Sequence, residues 1–370
     1  MSTPTAAALW IGTYPKAETE PGTGEGIWRV GIGPGGKFTG GELVAQVASP
    51  SFLALHPSGR TLVAVGEAGP GRLTSFRVSD AGTLTLAATT ASGGSGPCHV
   101  VATDSAAWVA NYGDGIAAVV PLADDGALGE PYTLPHEGTG PVEDRQEGPH
   151  AHFVHVWGDR VLVSDLGTDE LRTYPLAGPG AGSGTDAEPS GGTVAAVLPP
   201  GTGPRHLVEL ADGTVLVAGE LDCRLHVLVP AGPGRLEHVG SVAITARTTP
   251  DGAAGYPSHI TVAGDLVHVG VRGPDVLSVL RIHDAAATTE GFDDTVPGAV
   301  GHLVVENVAD VDLGAGAWPR HHTVLADGGL VVVAAQLTDE LIAVRLDRAS
   351  GKGEITDRLE LPVPACVLEA

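Results

Sequence analysis

Short apolar runs, rich in Val and Leu and bounded by Gly, Pro and Asp, follow one another along the whole chain. No long window carries the 3.6-residue period of a helix, so the pattern predicts strands and turns. The clearest case is Gly203-Pro204-Arg205-His206-Leu-Val-Glu-Leu-Ala-Asp212-Gly213-Thr-Val-Leu-Val-Ala-Gly-Glu220-Leu221. Two apolar runs flank Asp212-Gly213, a pair that tolerates the positive φ angles of a two-residue type I′ turn, and the stretch reads as a β-hairpin. Counting outward from that turn sets Arg205 opposite Glu220 as a cross-strand charge pair.

The same pattern recurs from Pro50-Ser51-Phe52 to Glu67, Pro97-Cys98-His99 to Asn111, Pro149-His150 to Asp165, Pro257-Ser258-His259 to Arg272, and Pro319-Arg320-His321 to Gln336. A shorter version, Leu9-Trp10-Ile11-Gly12-Thr13-Tyr14, matches only the second strand. The seven units are spaced 44 to 64 residues apart, which suits four short strands each. Third strands are predicted at 73–78, 116–122, 171–176, 225–229, 277–282 and 341–346, with the fourth less distinct. In the first unit, strands at 6–14 and 27–32 flank the Gly-rich loop 21–26, and the opening strand is missing. The C-terminal segment 360–368 is expected to supply it. The reading is all-β: one domain over residues 1–370, a seven-bladed β-propeller closed by its N- and C-terminal strands, which leaves no exposed edge. Three stretches interrupt the rhythm. Residues 178–192 and 283–302 read as surface insertions, and 136–150, with Arg145-Gln146-Glu147, is expected over the channel mouth.

Composition supports this class: 54 Gly and 28 Pro accompany 42% hydrophobic residues, which is strand-and-turn usage and not disorder. The net charge of −24 argues against nucleic acid or an anionic membrane as partner, so an anionic ligand must meet a local arginine cluster. Cys98, Cys223 and Cys366, odd in number and unpaired in spacing, suggest reduced structural thiols and a cytoplasmic location. Residues 1–8 lack the pattern of a signal peptide, and no apolar run is long enough to span a bilayer.

In a propeller the start of each first strand and the finish of each second strand share one end. One ring there would be Ser51, Cys98, His150, Arg205, Ser258 and Arg320; the other would be Thr13, Glu67, Asn111, Asp165, Glu220, Arg272 and Gln336. A scaffold position would keep one residue type, whereas these change from unit to unit, as binding residues do. The neighbouring column, His99, His206, His259 and His321 beside Phe52 and Ala151, repeats and reads as structural. The count places His150 opposite Asp165, where a carboxylate would hold the imidazole in one tautomer for general-base work; a solvated ion pair is the plainer alternative, and His152 on the same face could replace it. Arg205, Arg272 and Arg320 could hold a carboxylate or phosphate, or form separate salt bridges. Glu220 would be kept ionised by Arg205 and could orient water or substrate hydroxyls. Gly31-Ile-Gly33-Pro-Gly-Gly36 precedes no helix and reads as a hairpin turn rather than a dinucleotide fingerprint. In His150-Ala-His152-Phe-Val-His155, strand alternation turns His155 away from the other two, which weakens a metal reading.

These residues resemble the lactonase family of seven-bladed propellers, which includes bacterial 6-phosphogluconolactonases and a fungal carboxy-muconate lactonizing enzyme. The motifs are Gly12-Thr13-Tyr14, Pro50-Ser51-Phe52-Leu-Ala-Leu-His56-Pro57-Ser-Gly59-Arg60, Gly96-Pro97-Cys98-His99 with Ala110-Asn111-Tyr112-Gly113, Arg145-Gln146 with Pro149-His150-Ala151-His152, Asp165-Leu166-Gly167-Thr168-Asp169, and Gly203-Pro204-Arg205-His206 with Glu220-Leu221. The resemblance implies a metal-free, cofactor-free site of one His, two Arg and one Glu. Carried over by motif these are His150, Arg205, Glu220 and Arg272, the set that the register count also brings together. Val271-Arg272-Gly273 departs from the family's Asn-Arg-Gly and loses a polar neighbour of that arginine. The expected activity is hydrolysis of a small anionic sugar-acid lactone, 6-phosphogluconolactone first. Arg320, Asp165, Asn111, Glu67, His152 and Gln336 are expected to contact substrate. The alternatives are a muconate-type cycloisomerase, a metal-dependent lactonase using Glu67, Asn111, Asp165 and Glu220, and a non-catalytic interaction platform.

Overall fold

In a computed structural model, residues 7–14, 26–178, 192–284, 298–325 and 328–370 are described. Their apolar runs form seven antiparallel sheets, six of four strands and one of five. Among the described residues the only helical element is a 3₁₀ turn, Pro34–Gly36, at the Gly-rich hairpin expected there. The remainder of the expected loops 178–192 and 21–26, and of the insertion 283–302, falls outside the described residues. The ends of that insertion extend a sheet, because Ala299–Val300 pairs with Leu303–Asp312 as a fifth strand.

Each sheet follows chain order, as the repeat predicts. A representative one runs Ala151–Trp157, Arg160–Asp165, Glu170–Pro175, Thr193–Val197. The first sheet is made from both ends of the chain: Pro364–Glu369 pairs with Ala7–Thr13, followed by Ile27–Gly33 and Lys37–Ala45. Second strands such as Thr61–Gly66, Ala106–Asn111 and Leu330–Ala335 are buried along their whole length, which explains their unbroken apolar runs: both faces are covered. Fourth strands such as Leu84–Ala91 are largely exposed and carry mixed residues, so their sequence signal is weak.

By packing, the chain divides into two compact units: residues 1–8, 31–40 and 205–369, and residues 9–30, 41–204 and 370. In the first, Leu216, Val227, Ile260, Val269 and Leu280 interleave between consecutive sheets. In the second, Val63, Leu73, Val100 and Val109 do the same, and Trp108, Val154, Val161 and Tyr174 form a further layer. Cys98, Cys223 and Cys366 are free, buried thiols.

Two local features correct the register count. At Asp212-Gly213 only the glycine has a positive φ, +86°. The Gly213 N–H donates to the Leu210 carbonyl at 2.9 Å and the Leu210 N–H to the Thr214 carbonyl at 2.8 Å. The connection is therefore a three-residue loop closed by a left-handed glycine, not a two-residue type I′ turn. Second, the inner strand bulges near its start in several sheets, between Pro97 and His99, Ala151 and Phe153, Pro257 and Ile260, and Pro319 and His321. Ala151, not His150, is thus opposite Asp165, and the extra residue shifts everything before it.

A recurring staple ties the turn after the second strand to the segment that enters the next inner strand. Asp169, Asp275 and Asp339 sit at φ near +56°. The Asp169 carboxylate accepts the N–H groups of Gly201 and Gly203 at 2.7 and 2.8 Å. Asp275 accepts those of Gly316 and Trp318 at 2.7 and 3.0 Å, and Asp339 that of Val363 at 3.0 Å. Their own carbonyls accept from Leu198, Leu313 and Leu361. Cys223, at φ 57°, takes the equivalent place in another sheet, and its carbonyl accepts from Ile244.

The repeated histidine column is structural in its contacts. His99 Nδ1 accepts the Val154 N–H at 3.2 Å, and its ring lies between Phe52 and Phe153, with centroids 4.1 and 4.0 Å away. His206 and His259 share a proton between Nδ1 atoms 2.8 Å apart, and His321, stacked on His259, accepts the Val367 N–H at 3.2 Å. Phe153, not Ala151, completes this column, another consequence of the bulge.

Two outcomes are expected. Removing residues 364–370 strips the buried Ala365, Cys366 and Val367 from the first sheet, and the truncated chain should lose more than about 3 kcal/mol in denaturant unfolding. Equal midpoints for the two chains would show that the terminal strand is dispensable. The second concerns pH: burial lowers His268 to about 4 and His321 to about 3, and also pushes His322 well down. Below the ordinary value of 6.5 the unfolded chain takes up protons that the folded chain refuses, so stability falls as pH drops from there toward the folded values. Each such group contributes about 1.4 kcal/mol per pH unit inside that window. His268→Gln should make the slope of stability against pH shallower by about one proton; an unchanged slope would place the effect elsewhere.

Candidate active site

In the first unit, three charged residues of the expected set meet. Arg205 starts the strand Pro204–Glu209, Glu220 follows Val215–Gly219, and Arg272 ends Leu266–Arg272. Glu220 Oε2 lies 2.8 Å from Arg205 Nε and 2.8 Å from Arg272 Nη2. The Arg205 Nε contact is an ion pair whose alignment is poor for a hydrogen bond. All three side chains are at least nine-tenths buried. Backbone carbonyls take other N–H groups: Ser258 O accepts from Arg205, while Tyr256 O and Pro257 O accept from Arg272 at 3.0 and 3.3 Å. The Arg272 guanidinium also lies 5.5 Å from the Trp318 ring, a cation–π arrangement, with Tyr256 beside Trp318. Two guanidinium groups, each 2.8 Å from the same carboxylate oxygen, gather positive charge that suits an anion.

Arg320 is half-buried near the same cluster, since burial first and then the charges of Arg205 and Arg320 hold His321 down. Gln336 is 8% exposed; its N–H donates to the Trp318 carbonyl at 3.3 Å, and its Oε1 meets no hydrogen-bond donor among the described residues.

In the second unit, His150 is held by a different set of groups. Its Nδ1 is 2.8 Å from the Tyr112 carbonyl oxygen, which can only accept, so Nδ1 carries a hydrogen and Nε2 is the basic nitrogen. The Tyr112 ring stacks on the imidazole at 4.5 Å and 21°. Nε2 faces the carboxylate of Glu147, with Oε1 at 3.2 Å. His152 packs against the edge of Tyr112 at 5.5 Å, and its Nδ1 is 3.8 Å from Cys98 Sγ.

The expected His150–Asp165 side-chain pair does not form. Asp165 Oδ1 instead accepts three backbone N–H groups, from His150, Gly167 and Thr168 at 2.9, 2.9 and 3.0 Å, and Oδ2 lies 3.1 Å from His136 Nε2. Asn111 has a comparable duty in its own sheet: Nδ2 donates to the Ile116 carbonyl at 2.9 Å, and Oδ1 accepts from Ser92 Oγ at 2.6 Å. The bulge explains both. Asn111 and Asp165 pair with Pro97 and Ala151, as Val271 and Ala335 pair with Pro257 and Pro319. Arg272 and Gln336 lie one residue further on, where Tyr112 and Leu166 stand in the other sheets, and one residue along a strand turns a side chain to the opposite face. For the same reason His152, not His150, takes the strand position of Cys98. Val271, the departure from Asn-Arg-Gly, is wholly buried in the apolar core, and Arg272 is positioned by carbonyls instead. Glu67 is half-buried, and its N–H donates to the Ser49 carbonyl at 3.0 Å.

Sequence reasoning missed Tyr112, Glu147, His136 and Trp318. Tyr112 would emerge from aligning the sheets with the bulge included, and Trp318 from its place before a strand-opening proline. Glu147 and His136 lie in the segment 136–150 expected over the channel mouth, but no periodic signal singles them out within it. Among the described residues, no three His, Cys, Asp or Glu side chains are grouped so as to hold a metal ion.

Comparison with known proteins agrees with this architecture. The chain is 28% identical to the 6-phosphogluconolactonase of Bacillus subtilis (strain 168), over 97% of each sequence. Its fold matches the periplasmic gluconolactonase of Pseudomonas aeruginosa with a TM-score of 0.80 at 25% identity, over 99% of each chain. A Lactobacillus plantarum protein superposes with a TM-score of 0.79 at 24% identity, over 99% of this chain and all of the other. Residues 8–297 match the family described as "Lactonase, 7-bladed beta-propeller", so the chain belongs to the lactonase family of seven-bladed β-propellers.

Proposed function

We propose that this protein hydrolyses a sugar-acid lactone, with 6-phosphogluconolactone as its substrate. The observation that carries the reading is the buried meeting of Arg205 and Arg272 on one oxygen of Glu220. Two guanidinium groups gathered at one place suit an anionic substrate. Similarity to a 6-phosphogluconolactonase along nearly the whole chain supports the same chemistry.

His150 Nε2, the nitrogen left basic by the Tyr112 carbonyl, takes a proton from water as the water oxygen bonds to the lactone carbonyl carbon. Arg205 and Arg272 hold the phosphate. Collapse of the resulting tetrahedral intermediate breaks the ring carbon–oxygen bond, and the imidazolium returns its proton to the departing alkoxide. The new carboxylic acid then ionises. Glu220 keeps the two guanidinium groups in place and orients substrate hydroxyls. Arg320 and Gln336, in the same unit as this cluster, are proposed to add substrate contacts beside it. Asn111 and Asp165, each engaged by its own loop, act by shaping the backbone around them.

The reaction is proposed to run without a metal. Of the four ligands that a metal-dependent lactonase would use, Glu220 lies between two arginines that would repel a divalent cation, while Asn111 and Asp165 already serve local donors and acceptors. Activity should survive dialysis against a chelator; loss of activity that a divalent ion restores would establish the metal-dependent alternative.

Kinetics on phosphorylated and unphosphorylated gluconolactone, with spontaneous hydrolysis subtracted, test the assignment of roles. Arg205→Ala and Arg272→Ala should each weaken the phosphorylated substrate by about 1.5–3 kcal/mol and the neutral one far less. His150→Ala should lower turnover on both by about 10² to 10⁴-fold. Unchanged turnover in the His150 variant, or arginine variants equally impaired on both lactones, would overturn the division.

A further inference from the structure

We infer that Trp318, with Tyr256 beside it, is a specificity-determining residue: the two rings form an apolar wall for the carbon–hydrogen face of a closed sugar ring whose anionic group meets Arg205 and Arg272. The inference rests on the reading of that arginine pair as the substrate site. It narrows the ligand from an anion to a cyclic polyol that carries a phosphate or carboxylate.

The residue ahead of the proline that leads into an inner strand has a left-handed backbone in five sheets: Ser49 at φ 47°, Gly96 at 57°, Gly203 at 59°, Trp318 at 51° and Val363 at 40°. The fold uses this position through its backbone. The carbonyls of Ser49, Gly96 and Trp318 accept the N–H groups of Glu67, Tyr112 and Gln336. The N–H groups of Gly203, Trp318 and Val363 go to the carboxylates of Asp169, Asp275 and Asp339. Glycine, which reaches this conformation without steric cost, stands there in two sheets, whereas a bulky side chain at positive φ is an outlier. The indole therefore adds nothing that the turn itself needs. A large residue held in a costly conformation points to a use for its side chain.

That use lies beside Arg272. The Trp318 ring centroid is 5.5 Å from the guanidinium carbon, and the Tyr256 ring is 6.3 Å from that of Trp318 at 46°. Tyr256 is also the strand partner of Arg272, so both aromatic residues adjoin one cation. Arg272 does not need the indole for its placement, because Glu220 Oε2 and the carbonyls of Tyr256 and Pro257 already fix it. Trp318 is half-buried and Tyr256 is 39% exposed, while Arg272 is 8% exposed, so the pair keeps accessible ring surface next to buried charge. A sugar ring matches both features. Its anionic group suits the guanidinium groups, and its polarised C–H bonds are attracted to the negative face of an aromatic ring. Free phosphate offers the charge without that face.

The test is calorimetric binding of two probes to the full chain: glucose 6-phosphate, a closed anionic sugar ring without a lactone carbonyl, and inorganic phosphate. The parent chain should bind the sugar phosphate more tightly than phosphate. Trp318→Gly should weaken glucose 6-phosphate by about 3- to 10-fold, the size expected of one aromatic contact, and leave phosphate unchanged. Trp318→Phe should recover most of the loss. Glycine suits this backbone position, so the variant should stay folded, as its denaturant midpoint will show; Tyr256→Leu, at an exposed position, should give the same selective loss in smaller measure. Equal loss for both probes would assign Trp318 to holding Arg272 and overturn the inference, as would a parent chain with no preference for the sugar phosphate. Neither measurement needs turnover. Ring-selective binding that Trp318→Gly removes, in a protein that hydrolyses no lactone, upholds the wall and rejects the lactonase reading alone; lactone hydrolysis with an unchanged kcat/KM in Trp318→Gly rejects the wall alone.

Discussion

In three sheets a carboxylate at a left-handed backbone position holds the segment that enters the next inner strand. Asp169, Asp275 and Asp339 stand at φ near +56°, a region that short polar residues reach at a modest cost and larger ones seldom do. At that angle each carboxylate turns back toward the segment entering the next inner strand and takes N–H groups that no strand partner can satisfy. For Asp275 this includes the Trp318 N–H, two residues before Arg320 and within the residue whose ring lies over Arg272. A turn on one sheet thus determines how the neighbouring strand presents its first side chains, where the candidate chemistry resides.

Burying Arg205, Glu220 and Arg272 is costly in a way that apolar packing does not offset. Removing ions from water costs several kcal/mol each, and pairing recovers that only where the remaining donors are also satisfied. Here the carbonyls of Ser258, Tyr256 and Pro257 supply that satisfaction. Ser258 lies in the bulge of the strand Tyr256–Ala263, and Tyr256 and Pro257 are the paired residues just ahead of it. The irregularity that defeats a register count is therefore part of what holds the arginines.

The hairpin repeat, the seven units and the joining of the two chain ends were legible because each depends on the alternation of apolar runs with turns. The third strands fall within one or two residues of their expected bounds, as with 73–78 against Arg72–Val78 and 341–346 against Glu340–Leu346. Facing residues were less legible, because one inserted residue leaves composition unchanged yet moves side chains to the other face. Arg205 still reaches Glu220 despite the altered turn, since an offset of one residue, about 3.4 Å, lies within the reach of a long guanidinium side chain. The shorter imidazole of His150 cannot make up such an offset, and its partner is Glu147, from a loop with no periodic signal, rather than Asp165.

Charge placement in the arginine cluster shows why carbonyls are used there. A second carboxylate would satisfy Arg205 and Arg272 as well as carbonyls do, but it would also cancel the charge that an anionic ligand must find. A carbonyl accepts an N–H and leaves the formal charge in place. The two guanidinium groups share a single carboxylate oxygen and turn their other described hydrogen bonds to backbone, so positive charge is gathered locally inside a protein of net charge −24. The surrounding negative field repels anions in general, and this cluster offers a local exception to it. A ligand with negative charge on a hydroxyl-rich frame, as proposed for this protein, offers its charge to the arginines and its hydroxyls to a carboxylate such as Glu220.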